Sequence, residues 1–198
     1  MTAESIMVVC TANICRSPVG EALLTDGLNG ADITVTSAGT RAKVGHAPVP
    51  QALDFIESAL GEHALREGVQ LTKDTAEASD LILTMTEQQR MWVAQLAPRM
   101  VRRTYTMLEY SRLLDELDDR TTYASLSDLV RTTAPLRGRA NAHGASNDIA
   151  DPYGGTPEAY ATSFDLITAA SRKISARIIE HLAALPRPSN PPGLHPEM

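Results

Sequence analysis

Apolar residues along the chain form short continuous runs, separated by longer stretches in which they recur every three or four positions. The runs at residues 6–9 and 80–85, and the alternating segment at 32–37, predict buried or half-buried strands. The periodic stretches between them predict helices. Strands that alternate with helices are typical of a parallel sheet with right-handed crossovers. The pattern therefore predicts an α/β fold, with a fourth strand expected within residues 102–107.

Local signals predict where several helices begin. Ser17 is the expected N-cap of the first helix, with Pro18 as its first residue. Thr86 can cap the helix after the third strand. Pro157 opens the longest helix, whose apolar face is expected to pack on the sheet. The other predicted helices cover residues 48–60, 108–117 and 123–130.

Two segments look irregular. Residues 134–150 are rich in Gly, Pro and Asn and are expected to form a mobile loop. Residues 185–198 contain five of the twelve prolines in the chain and are expected to be a disordered tail. The prediction is a single domain over residues 1–184, insertion-rich at 99–150.

Composition excludes some classes of function. The 198 residues include 18 Lys and Arg against 24 Asp and Glu, a formal charge of −6, which argues against a nucleic-acid surface. An anionic partner must therefore be met locally. The start of the chain resembles neither a signal peptide nor a membrane span, so a cytoplasmic location is expected, with no membrane partner. Two cysteines are too few for a disulfide framework or a four-cysteine zinc site, which favours a chemical role for them.

The segment at residues 10–18, here called the cysteine loop, connects the first strand to the first helix. A compact loop that ends at a helix N-terminus presents backbone N–H groups to an anion. Cys10 lies at its base and Arg16 at its lip, where the positive surroundings favour a nucleophilic thiolate. The planar guanidinium can bind two phosphate oxygens at once. Cys10 could instead be a small buried hydrophobe that closes the strand.

Phosphoryl transfer to sulfur also needs a group that protonates the leaving oxygen and then activates water. Asp151 is the candidate, at the start of a tight turn at residues 151–155, here called the acid loop. An Asp-Pro turn is, however, common without any catalytic role. Composition alone does not choose among the 24 acidic residues.

Four segments together resemble the low-molecular-weight protein-tyrosine phosphatases. They are VCTANICRSP (residues 9–18), TSAGT (36–40), DLILTM (80–85) and DPYGG (151–155), in that family's order. The resemblance covers residues 5–100 and 148–183. It implies a three-layer fold with a four-stranded parallel sheet flanked by helices.

The resemblance also implies roles for individual residues. Cys10 is the nucleophile, Arg16 the phosphate clamp and Asp151 the general acid and then base. Asn13 holds the loop in shape, Ser37 supports Asn13, and Ser17 hydrogen-bonds the thiolate. Cys15 can form a protective disulfide with Cys10. The phosphate cradle consists of Thr11, Ala12, Asn13, Ile14, Cys15 and Ser17. No metal and no cofactor are implied.

The chain departs from the family pattern near the substrate. Ala12 replaces the usual glycine, which would strain the loop if that position needs positive φ. In the segment 41–46, here called the recognition loop, Lys43 occupies the place of an aromatic residue or leucine. Its aliphatic stem can cover a ring, or its charge can favour acidic substrates. His46 can meet the substrate, and Tyr153 is the expected wall beside it.

The sequence thus predicts a phosphatase that acts on phosphotyrosine proteins or small aryl phosphates through phosphocysteine, with a tyrosine kinase as a possible partner. Two alternatives stay open. One is an arsenate reductase on the same fold, which would need an external thiol because no cysteine follows Cys15. The other is a phosphate-binding module without activity. The excess residues at 99–150 are expected to form a helical cover that shapes access to Cys10.

Overall fold

A parallel sheet of four strands forms the centre of the molecule. The structure, a computed structural model, describes residues 4–64, 66–140, 144 and 146–182. The strands are β1 (Glu4–Cys10), β2 (Ile33–Gly39), β3 (Leu81–Thr84) and β4 (Thr104–Thr106). Their order across the sheet is β2-β1-β3-β4, and every pairing is parallel. The α/β prediction with four parallel strands is confirmed.

Helices cover both faces of this sheet. Their bounds are α1 (Arg16–Gly27), α2 (Pro50–Leu60), α3 (Lys73–Glu77), α4 (Glu87–Leu96), α5 (Met107–Leu113), α6 (Leu126–Thr133), α7 (Arg137–Ala140) and α8 (Pro157–Leu182). Short 3-10 helices occupy Pro98–Arg103, Leu114–Glu116 and Ala134–Leu136.

The central strand β1 is buried on both faces, which explains its continuous apolar run. Ile6 and Val8 point to one side, where they join the cluster built from α1, α2, α5, α6 and α8. Met7 and Val9 point to the other side, where α3, α4 and the Pro98–Arg103 turn cover them. The result is the expected three-layer arrangement.

The first helix begins earlier than the sequence predicts. It starts at Arg16, with Cys15 as the N-cap residue and no side-chain cap. Ser17 is fully buried, and its hydroxyl contacts Cys10 and Asn13 instead of capping. The N-cap prediction for Ser17 was therefore wrong, because a long-range partner claims the hydroxyl. Thr86 does cap α4, in a capping box with Gln89.

The longest helix, α8, belongs to the same apolar cluster as β1 and β3. Its principal neighbours are α1 and α5. The predicted apolar face is buried from Tyr160 to Ile178. At Gly27 of α1, an added Cβ would lie 2.4 Å from Oγ of Ser175 on α8. Glycine at this position therefore allows the two helices to approach.

Within the region at 99–150, α6 lies at the amino end of the strands, away from Cys10. The Glu4 carboxylate, at the start of β1, accepts hydrogen bonds from the backbone N–H groups of Leu126 and Ser127 (2.8 and 3.2 Å). Ser127 Oγ also donates to Asp80, next to the start of β3 (2.8 Å). The prediction that this region covers Cys10 does not hold for α6.

Part of the predicted mobile loop at 134–150 is helical, namely the 3-10 turn Ala134–Leu136 and α7. Residues 141–143 and 145 lie outside the described residues, as does the predicted tail at 185–198. Among the helices that the structure describes, none has the length and apolar character needed to cross a bilayer.

Candidate active site

The cysteine loop leaves β1 at the carboxyl edge of the sheet and turns back into α1. Its carbonyl groups point outward and accept hydrogen bonds from neighbouring backbone. The pairs are Thr40 N to Cys10 O (3.0 Å), Arg41 N to Thr11 O (2.8 Å), Lys43 N to Ala12 O (2.9 Å) and Val49 N to Ile14 O (2.7 Å). With the carbonyls turned out, the loop presents its N–H side to the interior, as an anion cradle requires.

Cys10 lies at the base of this cradle. Its side chain is buried, and its Sγ accepts a hydrogen bond from the backbone N–H of Asn13 (3.2 Å). The hydroxyl Oγ of Ser17 lies 3.0 Å from the same sulfur. Both groups are able to donate a hydrogen bond to the sulfur.

Asn13 fixes the shape of the loop. Its φ is 55°, and among the described residues Asn13 is the one non-glycine position with a positive φ. Its Nδ2 donates to Oγ of Ser17 (2.9 Å) and of Ser37 (2.8 Å), and its Oδ1 accepts from the backbone N–H of Val69 (2.8 Å). The condition for strain at Ala12, a positive φ at that position, is therefore not met, because the left-handed conformation falls one residue later, on Asn13.

Ser37 is held in turn by a partly buried carboxylate that carries no signal in the sequence. Its hydroxyl donates to Glu21 on α1 (2.6 Å). Burial raises the pKa of the Glu21 carboxyl above its ordinary value, while the bond from Ser37 and the nearby charges of Arg66 and His63 partly offset this. No signal in the sequence connects Glu21 to Ser37, because the two meet only when α1 packs beside β2.

Arg16 connects the cysteine loop to the acid loop. Its guanidinium is buried, with Nη2 2.5 Å from Oδ2 of Asp151 and Nη1 donating to the carbonyl of Ile149 (2.9 Å). The Asp151 side chain is half exposed, so its carboxyl stays accessible. Ile149 is itself fixed by a backbone bond from its N–H to the carbonyl of Met85 (2.8 Å). Asp151 thus lies at the same site as Cys10, although the two are 141 positions apart in the sequence.

The second cysteine has a different environment. Both Cys10 and Cys15 are free and buried in this structure. Burial raises the pKa of the Cys15 thiol to about 12, and the neighbouring Cys10 and Asp151 add to the effect. Cys15 is therefore a neutral thiol at neutral pH, unsuited to attack phosphorus. The disulfide between the two residues stays a prediction.

The recognition loop lies beside the cradle and contacts the acid loop. Nζ of Lys43 donates to the hydroxyl of Tyr153 (3.1 Å) and lies 4.9 Å from the centre of its ring. Both side chains are exposed, and together they bridge the mouth of the site. His46 is exposed too, but its Nδ1 lies 3.1 Å from the Val44 carbonyl and the structure does not bring it to Cys10.

Two further supports escaped sequence reasoning. Gln89 on α4 donates from Nε2 to Oγ1 of Thr11 (3.1 Å) and so ties the cysteine loop to the turn after β3. Gly68 lies against the recognition loop, where an added Cβ would be 2.4 Å from the Lys43 carbonyl. The capping pattern at Thr86 could have indicated Gln89, but not its partner in the loop.

This site can hold a phosphate monoester and cleave it by attack of sulfur. It combines a thiol at the base of an anion cradle, a guanidinium that clamps phosphate and a nearby carboxyl. The sequence profile of the low molecular weight phosphotyrosine protein phosphatases matches residues 5–120. The chain belongs to this family. The matched range includes residues 99–120, which the sequence analysis had assigned to an insertion.

Relatives agree with this family. The low molecular weight protein-tyrosine-phosphatase Etp of Escherichia coli K12 is 42% identical over 108 residues, which cover 53% of this chain and 68% of Etp. A protein-arginine-phosphatase of Bacillus subtilis is 26% identical over 177 residues, covering 87% and 95% of the two chains. The crystal structure of the tyrosine phosphatase Wzb from Escherichia coli K30 with phosphate is 26% identical, with a TM-score of 0.61 over 88% of this chain and 98% of Wzb.

Family membership decides between the functional alternatives. The protein-tyrosine phosphatases among the relatives are phosphoric monoester hydrolases, and a phosphocysteine mechanism is general to the family. Neither the arsenate reductase nor the module without activity is favoured by these relatives.

Proposed function

We propose that the protein hydrolyses phosphotyrosine in proteins, and related aryl phosphates, with Cys10 as the nucleophile. One observation carries the assignment of residues: Arg16 of the cysteine loop and Asp151 of the acid loop are in direct contact, at 2.5 Å. That contact supports a site in which the thiol, the guanidinium and the carboxyl act on one substrate. The proposal extends to the cytoplasm as its location and to a tyrosine kinase as the source of its substrate.

In the first step the Cys10 thiolate attacks phosphorus, and the bond from phosphorus to the tyrosyl oxygen breaks. The phosphate oxygens compete with Asp151 for Arg16, so that substrate binding releases the carboxyl toward the leaving oxygen. Asp151 in its protonated form gives that oxygen a proton, and tyrosine departs. Phosphocysteine remains in the cradle.

In the second step the Asp151 carboxylate takes a proton from a water molecule, and the oxygen of that water attacks phosphorus. The bond from sulfur to phosphorus breaks, inorganic phosphate leaves, and the Cys10 thiolate is restored. Arg16 and the backbone N–H groups of the loop bind the equatorial oxygens in both steps.

Phosphoarginine in proteins is a second candidate substrate, favoured by the long match with the protein-arginine-phosphatase. The mouth of the site argues for phosphotyrosine, because Lys43 places a positive charge next to the Tyr153 ring. A cationic guanidinium in the substrate would be repelled there, whereas a neutral phenol ring can stack.

The test is steady-state hydrolysis of para-nitrophenyl phosphate, a phosphotyrosine peptide and a phosphoarginine peptide of the same sequence. We expect Cys10→Ser to abolish turnover and Asp151→Asn to lower kcat by about 100-fold or more. Asp148→Asn is the matched control, since Asp148 is an exposed carboxylate of the same segment whose acceptor oxygen the variant keeps. Full activity of folded Cys10→Ser would refute the proposal, and a higher kcat/KM on the phosphoarginine peptide would reassign the substrate.

A further inference from the structure

A cavity of about 630 Å³ lies far from the cysteine loop, at the amino end of the edge strand β4. Five arginines line it, together with one carboxylate. They are Arg99, Arg102, Arg103, Arg131, Arg137 and Asp128. The chain as a whole has a formal charge of −6, whereas the side chains that line this cavity are mostly positive. A ligand that is anionic fits this local charge.

The charges in the cavity are only partly neutralised by the protein itself. Arg131 pairs with Asp128 on the same helix (2.8 Å), and Arg103 lies 3.7 Å from Asp80. Arg99 and Arg102 are exposed and take part in none of the ion pairs between described residues. Their guanidinium groups therefore supply donors to an external partner.

Arg137 forms a fixed wall of the same cavity. Its guanidinium donates to the carbonyls of Val101 (3.3 Å) and Thr104 (2.5 Å) and pairs with Glu109 (2.9 Å). Its carbon Cζ lies 4.2 Å from the centre of the Tyr105 ring. A guanidinium held on several sides keeps its position and contributes a positive charge without further loss of side-chain freedom.

We propose that this cavity, here called the arginine cavity, binds a small polyphosphate with two or more linked phosphate groups. Its volume is within the usual range for small-molecule sites, about 300–1,000 Å³. Arg99 and Arg102, which form no ion pair between described residues, match a ligand that carries two or more negative charges, and each of their forks can bind two phosphate oxygens. The donors surround a concave space and do not follow a flat surface, which favours a compact ligand over an extended acidic peptide.

The arginine cavity is separate from the candidate active site. Cys10 lies at the carboxyl end of β1, whereas the Pro98–Arg103 turn precedes the amino end of β4 in the same parallel sheet. Both sites can therefore be occupied together. The proposal does not depend on the phosphatase reaction.

The test is isothermal titration calorimetry of the full chain with tripolyphosphate and with ATP, using adenosine as the uncharged probe. In Arg99→Ala/Arg102→Ala we expect binding about 100-fold weaker, roughly tenfold for each lost charge-assisted contact. Arg120→Ala/Arg172→Ala is the matched control, because both residues are exposed, lie outside the cavity and remove the same charge. Arg16→Ala removes the clamp of the cysteine loop and is expected to leave this binding unchanged.

The affinities of the two anions show which part of the ligand is recognised. Equal affinity for both anions identifies the phosphate chain as the recognised group, and tighter binding of ATP than of tripolyphosphate identifies a nucleotide; adenosine is expected not to bind. The proposal fails if Arg99→Ala/Arg102→Ala binds as the wild type does, or if the control pair weakens binding equally. It also fails if Arg16→Ala abolishes binding, or if a hexaglutamate peptide binds more tightly than tripolyphosphate. Thermal melts confirm that each variant is folded.

Discussion

Asn13 shows how single residues hold the cysteine loop in its working shape. A left-handed conformation costs about 1 kcal/mol for a residue with a side chain, and less for asparagine than for most. The three hydrogen bonds that Asn13 makes to Ser17, Ser37 and Val69 contribute roughly 1 kcal/mol each and offset that cost. Alanine at this position would keep the cost and lose the bonds. The resemblance pointed to Asn13 and Ser37, but not to Val69 as a further partner of Asn13.

Glu21 is the partly buried carboxylate behind this network, and its raised pKa predicts a pH dependence of stability. Its raised pKa means that the folded state holds the proton more tightly than the unfolded chain. The wild type therefore loses stability relative to Glu21→Gln as the pH rises above 4.5, and the difference levels off beyond the raised pKa. The limiting difference is about 1.4 kcal/mol for each unit by which the pKa is raised. Urea unfolding of both proteins across this pH range measures it.

Glu158 provides a control of opposite sign for the same measurement. It is fully exposed, and a hydrogen bond from Thr156 lowers its pKa. Glu158→Gln should therefore lose stability relative to the wild type as the pH rises toward 4.5. A difference for Glu21→Gln that does not change with pH would show that burial does not control this carboxyl.

At the scale of elements, the approach of α1 to α8 depends on Gly27. An added Cβ would lie 2.4 Å from Oγ and 2.9 Å from Cβ of Ser175. We expect Gly27→Ala to lower the free energy of unfolding by about 1–3 kcal/mol. Ser175→Gly in the same chain removes both clashing atoms and should restore part of the loss. Gly138→Ala is the control, because no atom lies within 4 Å of the added Cβ. Equal melting temperatures for Gly27→Ala and the wild type would contradict this account.

Elements were predictable from the sequence where local signals act alone. The strands and the cap at Thr86 follow from apolar runs and from a side chain that bonds its own helix. The start of α1 was not predictable, since Ser17 looks like a cap but bonds Cys10. The contact between Arg16 and Ile149 was not predictable either, because it is made by a backbone carbonyl that every residue has. The arginine cavity joins two segments of the chain about 30 positions apart.

At the scale of the whole molecule, the two ends of the sheet carry different chemistry. The carboxyl end holds the cysteine loop, the recognition loop and Asp151. The amino end holds α6, which the Glu4 carboxylate caps, and the arginine cavity. Of the segments that follow β4, α6 thus lies at the end opposite Cys10, whereas Ile149 and Asp151 return to Arg16 at the Cys10 end. An ion pair with a buried carboxylate joins two of the helices that follow β4.

That ion pair connects Arg137 of α7 to Glu109 of α5 at 2.9 Å, with Arg90 at 3.9 Å from the same carboxylate. Glu109 is 1% exposed, so removal of Arg137 would leave a buried carboxylate short of its nearest counter-charge. We expect Arg137→Ala to lower the free energy of unfolding by about 3 kcal/mol. Arg131→Ala removes the same charge from an exposed pair and should cost about 0.5 kcal/mol or less. Denaturant unfolding of Glu109→Gln and of Glu109→Gln/Arg137→Ala completes the double-mutant cycle, and the double variant should be more stable than Arg137→Ala alone. Equal losses for the two arginine variants would mean that the pair does not hold α7 against α5.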